Sequence, residues 1–361
     1  MTTSKFSFKI IKKSSQSNCR VGVLQTPHGK INTPVFMPVG TLGAMKGVLA
    51  EQLLKEEAQI ILANTYHLFL RPGIQVLKYF MGLHEFSNWH RPLLTDSGGF
   101  QVYSLSKLNK LTEDGVSFRS HLNGDKIFFS PEKVIEIQKI IGSDIIMPLD
   151  ECLPSDASFA KTKNSLELTT RWAKRSKKYF SRICDSNKQV LFGIIQGGMY
   201  PELRESSADQ MTDLNFFGYS IGGLSVGEGK EKMYPLITET VKHIPQNKPR
   251  YLMGVGNPED LTYAMDQGID MFDCVLPTRL ARHGAVLSIN GTYHIKNKQH
   301  EFSKESLSEC CTCYTCRNYH RGYIRHLWRS GELNAMTFLS IHNICYLINL
   351  VDNKRKSVLA E

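Results

Sequence analysis

QVLFGIIQGG, residues 189–198, is a run of apolar, partly β-branched residues that ends abruptly in a polar residue and two glycines. A strand with one wet face alternates apolar and polar residues, so an unbroken run of this length reads as a strand buried on both faces, as in a parallel sheet. Working outward, the same pattern recurs in PVFMPVG (34–40), IILANTYH (60–67), PLLTDSGG (92–99), DIIMPLDE (144–151), FGYSIGGL (217–224), RYLMGVG (250–256) and DMFDCVLPT (270–278). That makes eight runs. Amphipathic stretches lie between them: VLAEQLLKEEA; SPEKVIEIQKII, with Ser130 as cap and Pro131 in the first turn; and NPEDLTYAMDQG, where Asn257 caps and Gly268 stops the helix. The 361 residues alone allow either one large barrel or two ordinary domains. Eight strand–helix repeats point to an α/β fold of the (β/α)₈ TIM-barrel type, expected over residues 1–278 with an N-terminal extension.

Residues 279–361 are too many for one closing helix. A small β-hairpin is expected around Asn290-Gly291, then a cysteine cluster and two helical stretches, giving a C-terminal zinc-binding helical subdomain packed on the barrel. No run reaches the roughly 18 apolar residues of a membrane span, and MTTSKFSFKIIKKSSQ lacks the apolar stretch of a signal peptide, so a cytoplasmic protein is expected. With 41% hydrophobic and 22% charged residues the chain is an ordinary globular one, not a disordered one.

Charge narrows the class of partner. The chain carries 44 Lys+Arg against 34 Asp+Glu, a net +10, and 12 Lys+Arg against 6 Asp+Glu fall after Val275, so +6 of it sits in the last quarter. That bias suits a nucleic-acid surface near the C-terminus. Of the nine cysteines, four crowd into Cys310, Cys311, Cys313 and Cys316. Without an export signal such crowding reads as metal binding rather than a disulfide framework. Cys311, Cys313 and Cys316 with His342 supply three thiolates and an imidazole, a closed set for one structural Zn²⁺, with Cys310 an alternative to Cys311. The histidine and glutamate of a zinc deaminase motif are absent.

The ends of the eight runs carry Asn64, Asp96, Asp150 with Glu151, Gln196, Gly222-Gly223, Gly254 and Asp273. Barrel enzymes gather their chemistry at the C-terminal ends of the strands, so these groups should converge on one mouth. Paired carboxylates suit glycosidic chemistry, one attacking a sugar carbon and another moving protons. Gly98, Gly99, Gly222 and Gly223 would let a flat ligand approach the backbone, and Phe100 and Met253 are apolar enough to sandwich a base.

TPVFMPVGT, TDSGGFQV, GSDIIMPLDEC, GIIQGG, SIGGLSVGE, RYLMGVG, DMFDCVLPTR and CxCxxC with His342 together resemble the bacterial tRNA-guanine transglycosylases, the queuine tRNA-ribosyltransferases, from Gly22 to about Val351. The resemblance implies exchange of the wobble guanine of GUN-anticodon tRNAs (those for Asp, Asn, His and Tyr) for a 7-deazaguanine base, by a zinc-bearing barrel acting as a homodimer. It further implies Asp273 as nucleophile, Asp96 as general acid/base, and base recognition by Asp150, Gln196, Gly223 and Leu224, with Phe100 and Met253 on the ring faces and Cys152 lining the pocket. Arg279 and Arg282, just past Asp273, are candidates for tRNA phosphate contacts. In the eukaryotic branch, which takes the bulkier queuine, a glycine matches Val226, so a valine here implies 7-aminomethyl-7-deazaguanine as the base inserted. Leu42, Ala44, Leu280, Ala281 and the doubled Cys310-Cys311 depart from the commonest family pattern. A plain sugar hydrolase would explain the carboxylates but neither the cysteine cluster nor the basic C-terminal quarter.

Overall fold

Each of the eight runs contains one strand of a single parallel sheet: β1 (Val35–Pro38), β2 (Ile61–Ala63), β3 (Leu93–Thr95), β4 (Ile145–Ile146), β5 (Val190–Ile195), β6 (Gly218–Ile221), β7 (Arg250–Leu252) and β8 (Met271–Cys274). The computed structural model describes residues 5–105 and 109–361. Hydrogen bonding follows the order β1-β8-β7-β6-β5-β4-β3-β2, and a parallel bridge between Val39 and Leu62, with the Gly40 N–H on the Leu62 carbonyl at 2.7 Å, brings β1 against β2. The ring is a (β/α)₈ barrel. β4 is short because the ladder runs into Pro148, which has no N–H to give, and the Met147 N–H turns instead to Gln138 Oε1 at 2.9 Å.

Alternation along the strands sorts the core into two layers. Val35 and Met37 join Leu62, Leu94, Ile145, Ile194, Tyr251 and Met271 in one buried cluster inside the ring, while Phe36, Ile61, Leu93, Leu191, Leu252 and Phe272 join a second beneath the helices. The helices keep the caps expected of them. Ser130 Oγ accepts the Lys133 N–H at 3.1 Å ahead of Pro131–Ile141, and Asn257 Oδ1 accepts the Asp260 N–H at 2.8 Å ahead of Pro258–Asp266. The helix in VLAEQLLKEEA is shorter than its pattern, covering Ala50–Lys55, with Gln52 Oε1 accepting the Leu49 N–H at 2.8 Å.

Two sheets lie outside the ring and have no counterpart in the sequence reading. Ser7–Lys13, Arg20–Thr26 and Gly29–Thr33 form an antiparallel sheet that sends Phe6, Leu24 and Ile31 into the inner cluster. It adjoins the N-terminal ends of β7 and β8 and so closes that end of the barrel. Asn109–Thr112, Gly115–Arg119 and Lys126–Phe129 form the other, inserted between β3 and β4, and Phe118 and Phe129 anchor it in the outer cluster.

Past β8 come the helix Leu276–Arg282, the expected hairpin (Ala285–Ser288 with Gly291–His294), the helices Tyr314–Asn318 and Arg321–Arg329, and a final helix, Leu333–Ala360. This last helix packs on Leu276–Arg282 and on β1, and its Ile341, Ile344, Leu347 and Val351 belong to the same cluster as the barrel's outer layer. By length and composition it could cross a membrane, with an 18-residue window of mean hydropathy 1.2, yet 67% of that window is buried inside the fold. Its apolar length is used in core packing.

Asn343 ties this helix to the hairpin. Its Oδ1 accepts the Leu287 N–H at 2.9 Å, and its Nδ2 donates to the carbonyls of Ala285 and Pro277 at 3.0 and 3.1 Å, all buried. Asn343→Ala should therefore leave one N–H and two carbonyls unpaired and destabilise the protein by about 2–4 kcal/mol. Denaturant titration checks this against Asn318→Ala at an exposed position, which should change stability by about 1 kcal/mol or less.

Candidate active site and metal centre

The C-terminal ends of the strands bring together the polar residues that follow each run. Asp273 lies within β8, and its Oδ1 accepts two hydrogen bonds from the end of β7, one from the Tyr251 hydroxyl at 2.6 Å and one from the Gly254 N–H at 2.7 Å. Among the described residues its Oδ2 has no donor. Burial pushes its pKa above the ordinary carboxylate range, against the pull of those two bonds. Asp96, just past β3, is held from the end of β2: Asn64 Nδ2 reaches its Oδ2 at 2.6 Å and the Thr65 N–H its Oδ1 at 2.8 Å. Burial raises the Asp96 pKa to about 6, and the nearby Asp273 charge pushes the same way. Two carboxylates that feel each other in one buried mouth titrate as a coupled set.

Asp150, past β4, stands between its neighbours. Ser97 Oγ donates to its Oδ1 at 2.6 Å and Gln196 Nε2 to its Oδ2 at 2.8 Å. Burial raises its pKa too. This fit depends on Gly99, where an added Cβ would lie 2.4 Å from the Asp150 carbonyl oxygen. Gly223 has φ +64, and a Cβ there would lie 2.4 Å from Gln196 Oε1, so both position and conformation call for glycine. Beneath it the buried Arg204 donates to the carbonyls of Gly198, Gly222 and Gly223 at 2.8, 3.2 and 3.3 Å, and burial lowers its pKa to about 10.

The segment after β6 is held by a carboxylate. Glu228 accepts the Val226 N–H at 2.9 Å and also the N–H of Ser225, whose φ of +59 is unusual for a residue with a side chain. Leu224 is buried and Val226 half-buried. Cys152 is buried, its thiol pushed up to about 12 by that burial, which keeps it neutral. Met253 follows β7 and packs against the inner cluster, whereas Phe100, in the first turn of Gly99–Leu105, is 48% exposed. So large an apolar ring left half in solvent beside the mouth is not a core residue. Arg279 is exposed and Arg282 half-buried on the helix Leu276–Arg282, directly after Asp273.

Tyr251, Ser97, Arg204 and Glu228 were not singled out from the sequence. Glu228, two residues past Val226, could have been suspected from its place in a glycine-rich segment. Arg204 gives no signal, since it sits in the ordinary helical stretch Pro201–Asp213.

The second centre lies in the C-terminal segment. His342 Nδ1 is 3.5 Å from Cys311 Sγ, 3.7 Å from Cys313 Sγ and 3.2 Å from Cys316 Sγ, and all four donors lie within 4.8 Å of one another. Tetrahedral bonds of about 2.0–2.3 Å produce separations of this size, so the set could hold a metal ion. His342 is buried and its Nε2 is 2.8 Å from the Leu287 carbonyl, which fixes the tautomer that leaves Nδ1 free to ligate. Cys310 is exposed, with φ +59, and stands outside the set, so Cys311 is the first donor.

The family model described as "Queuine tRNA-ribosyltransferase" matches residues 15–361. A queuine tRNA-ribosyltransferase of Thermoanaerobacter sp. (strain X514) is 52% identical over 351 residues, covering 97% of this chain and 93% of that protein. Those of Dictyoglomus turgidum (52%; 97% and 90%) and Staphylococcus aureus strain JH9 (51%; 97% and 92%) are similar over the same span. Parallel barrel, convergent carboxylates and a Cys₃His set agree with these matches over nearly the whole chain, which belongs to the queuine tRNA-ribosyltransferase family, the tRNA-guanine transglycosylases.

Proposed function

We propose that this chain exchanges the wobble guanine of GUN-anticodon tRNAs for 7-aminomethyl-7-deazaguanine through a covalent ribosyl-aspartate, a step towards queuosine. The observation that carries this reading is the pairing of Asp273, whose Oδ2 is free while its Oδ1 is doubly held, with Asp96, a carboxyl group raised to about 6 in the same mouth. Asp273 Oδ2 attacks C1′ of the wobble ribose and the bond to guanine breaks, the electron pair leaving with the base. Protonated Asp96 donates its proton to the departing guanine and is left as the carboxylate. The incoming base, deprotonated by Asp96, then displaces Asp273, so two inversions give net retention. Tyr251 and the Gly254 N–H fix the Asp273 carboxylate in one orientation without neutralising it.

Asp150 and Gln196 accept and donate at the edge of the base, the Gly223 and Leu224 backbone adds polar contacts, Phe100 and Met253 cover the ring faces, and Cys152 closes the wall. The target nucleotide leaves the anticodon stack at a cost of a few kcal/mol, offset by phosphate contacts from Arg279, Arg282 and the basic C-terminal segment. On this reading residues 1–278 carry the chemistry, and 279–361 carry the metal centre and tRNA contacts. One structural Zn²⁺ per chain, held by Cys311, Cys313, Cys316 and His342, would cross-link the cysteine segment around Tyr314–Asn318 to the last helix and supply no step of the reaction. A homodimer suits the exposed Tyr79, Phe80, Met81 and Phe86, an apolar patch on the barrel's flank. A tRNA substrate implies the cytoplasm.

Asp273→Asn removes the attacking oxygen's charge but no phosphate contact. Guanine exchange should fall by at least about 10³-fold, with tRNA affinity within about threefold of the wild type. Denaturing gels should show an enzyme–RNA adduct for the wild type and none for the variant; an adduct in Asp273→Asn refutes the assignment.

Val226 discriminates between incoming bases by size. The wild type should prefer 7-aminomethyl-7-deazaguanine to queuine by about 10²-fold or more in direct competition, and Val226→Gly should narrow that ratio at least about tenfold. Equal use of both bases by the wild type would refute the steric argument.

Metal analysis should find one zinc per chain. Cys313→Ser should lose it and lower the melting temperature by several degrees, and strong chelators should do the same to the wild type. Metal-free protein that melts like the loaded form would rule out a structural role.

A further inference from the structure

At the end of the barrel opposite the mouth, a cleft of about 360 Å³ opens between the N-terminal sheet and the segments leading into β7 and β8. Lys13, Arg20, Lys242 and Arg250 line it together with Ser14, Asn18 and Gln246. Arg20 and Arg250 are 3% and 6% exposed, so two guanidinium groups are buried side by side in its wall.

The one buried carboxylate available to them is Asp270, and Arg20 takes it. Arg20 Nε reaches Asp270 Oδ1 at 2.9 Å and Nη2 reaches Oδ2 at 2.5 Å, with the Arg250 backbone N–H also on Oδ2 at 2.7 Å. The Arg250 side chain is left with carbonyls only: Nη2 on Ile244 at 2.7 Å and Nη1 on Gly268 at 3.5 Å. Its Nε finds no acceptor among the described residues, and no carboxylate there pairs with its guanidinium. Burial, and next the Arg20 charge, lower its pKa to about 10, which still leaves it cationic at neutral pH. The other acids nearby do not reach Arg250: Asp266 pairs with Lys354 at 2.6 Å, Glu239 with the rim's Lys242 at 2.6 Å, and the exposed Glu361 accepts from Ser14 Oγ at 2.8 Å and the Ser15 N–H at 2.6 Å.

Two buried guanidiniums with one carboxylate leave a net positive charge out of water, and carbonyl dipoles offset only part of the cost. At the rim Lys13 adds to the field, bonded only to the neutral Gln246 Oε1 at 2.7 Å, whereas the Lys242 charge is already met by Glu239. The amide N–H₂ groups of Asn18 and Gln246 can orient an oxyanion, and a doubly or triply charged one matches the excess where a monocarboxylate would not.

We propose that this cleft is a binding site for a small anion of the phosphate class, either a single phosphate or a diphosphate group. It is separate from the base-exchange mouth and independent of the reaction assigned to it. The anion completes the charge balance of Arg20, Asp270 and Arg250 and thereby stabilises the N-terminal ends of β7 and β8.

Thermal unfolding and calorimetric titration of the full chain with inorganic phosphate, pyrophosphate, acetate and chloride, at constant ionic strength, test this. Phosphate or pyrophosphate should raise the melting temperature saturably, with acetate and chloride inert at equal concentration. Pyrophosphate binding at least about tenfold tighter than phosphate assigns the cleft to a diphosphate group, and equal or weaker binding to a monophosphate. Lys13→Ala and Lys242→Ala should each weaken binding about three- to tenfold while leaving the ligand-free melting temperature and guanine exchange unchanged. Arg250→Gln should abolish binding; should it fail to fold, the lysine variants carry the test. Absence of any saturable shift, or a shift of the same affinity in the Lys13→Ala/Lys242→Ala double variant, overturns the proposal and leaves the exchange reaction untouched.

Discussion

A carboxylate moved out of water costs several kcal/mol unless donors already wait for it. Asp96, Asp150 and Asp273 all meet this requirement in the same way, through donors supplied by neighbouring strand ends. Asp96 after β3 is held by Asn64 and Thr65 after β2, Asp150 after β4 by Ser97 and by Gln196 after β5, and Asp273 on β8 by Tyr251 and Gly254 of β7 and its end. None of these pairs forms within one strand–helix unit. The register of the parallel ladder therefore fixes the chemistry, and a slip between adjacent strands would strip a buried charge of its donors.

The C-terminal segment extends the same dependence outwards. His342 and Asn343, adjacent on one helix, both engage Leu287 of the hairpin, His342 at its carbonyl and Asn343 at its N–H. Asn343 also reaches the Pro277 carbonyl, four residues past Asp273. The side chain that completes the Cys₃His set and the one that clamps the chain leaving β8 thus share a helical turn. Ordering of the cysteine cluster and the position of the helix after Asp273 are mechanically linked, so a metal held by that cluster would have a structural task.

Much of this was legible in the sequence because parallel strands buried on both faces leave unbroken apolar runs, and each of the eight holds a strand. Caps at Ser130 and Asn257 were equally plain, since the side chain that caps is the residue read. Strands with a wet face gave less. Ser7–Lys13 alternates exposed with half-buried residues and has no apolar run, and the sheet of 109–129 is built from four- and five-residue pieces whose packing is set by the barrel beneath. In the mouth, acidic residues at run ends stood out, but their donors did not. Tyr251 looks like one more strand residue, and Arg204 like a surface residue of an amphipathic helix. The choice between Cys310 and Cys311 turns on backbone direction, which spacing does not encode.

β8 shows why the kind of donor matters as much as its presence. Asp270, just before β8, and Asp273, within it, lie three residues apart, and burial pushes both upwards. Asp270 is answered by the Arg20 guanidinium, a charge for a charge, which holds it ionised and spends its lone pairs. Asp273 is answered by a hydroxyl and an amide, both neutral and both on the same oxygen. A guanidinium in that place would stabilise the carboxylate more, and would hold back the electron density an attacking oxygen must give. Neutral donors orient the group without pairing its charge. Asp270 at one end of the barrel is thus matched by a cation and Asp273 at the other by neutral donors, and the difference lies in what their neighbours donate.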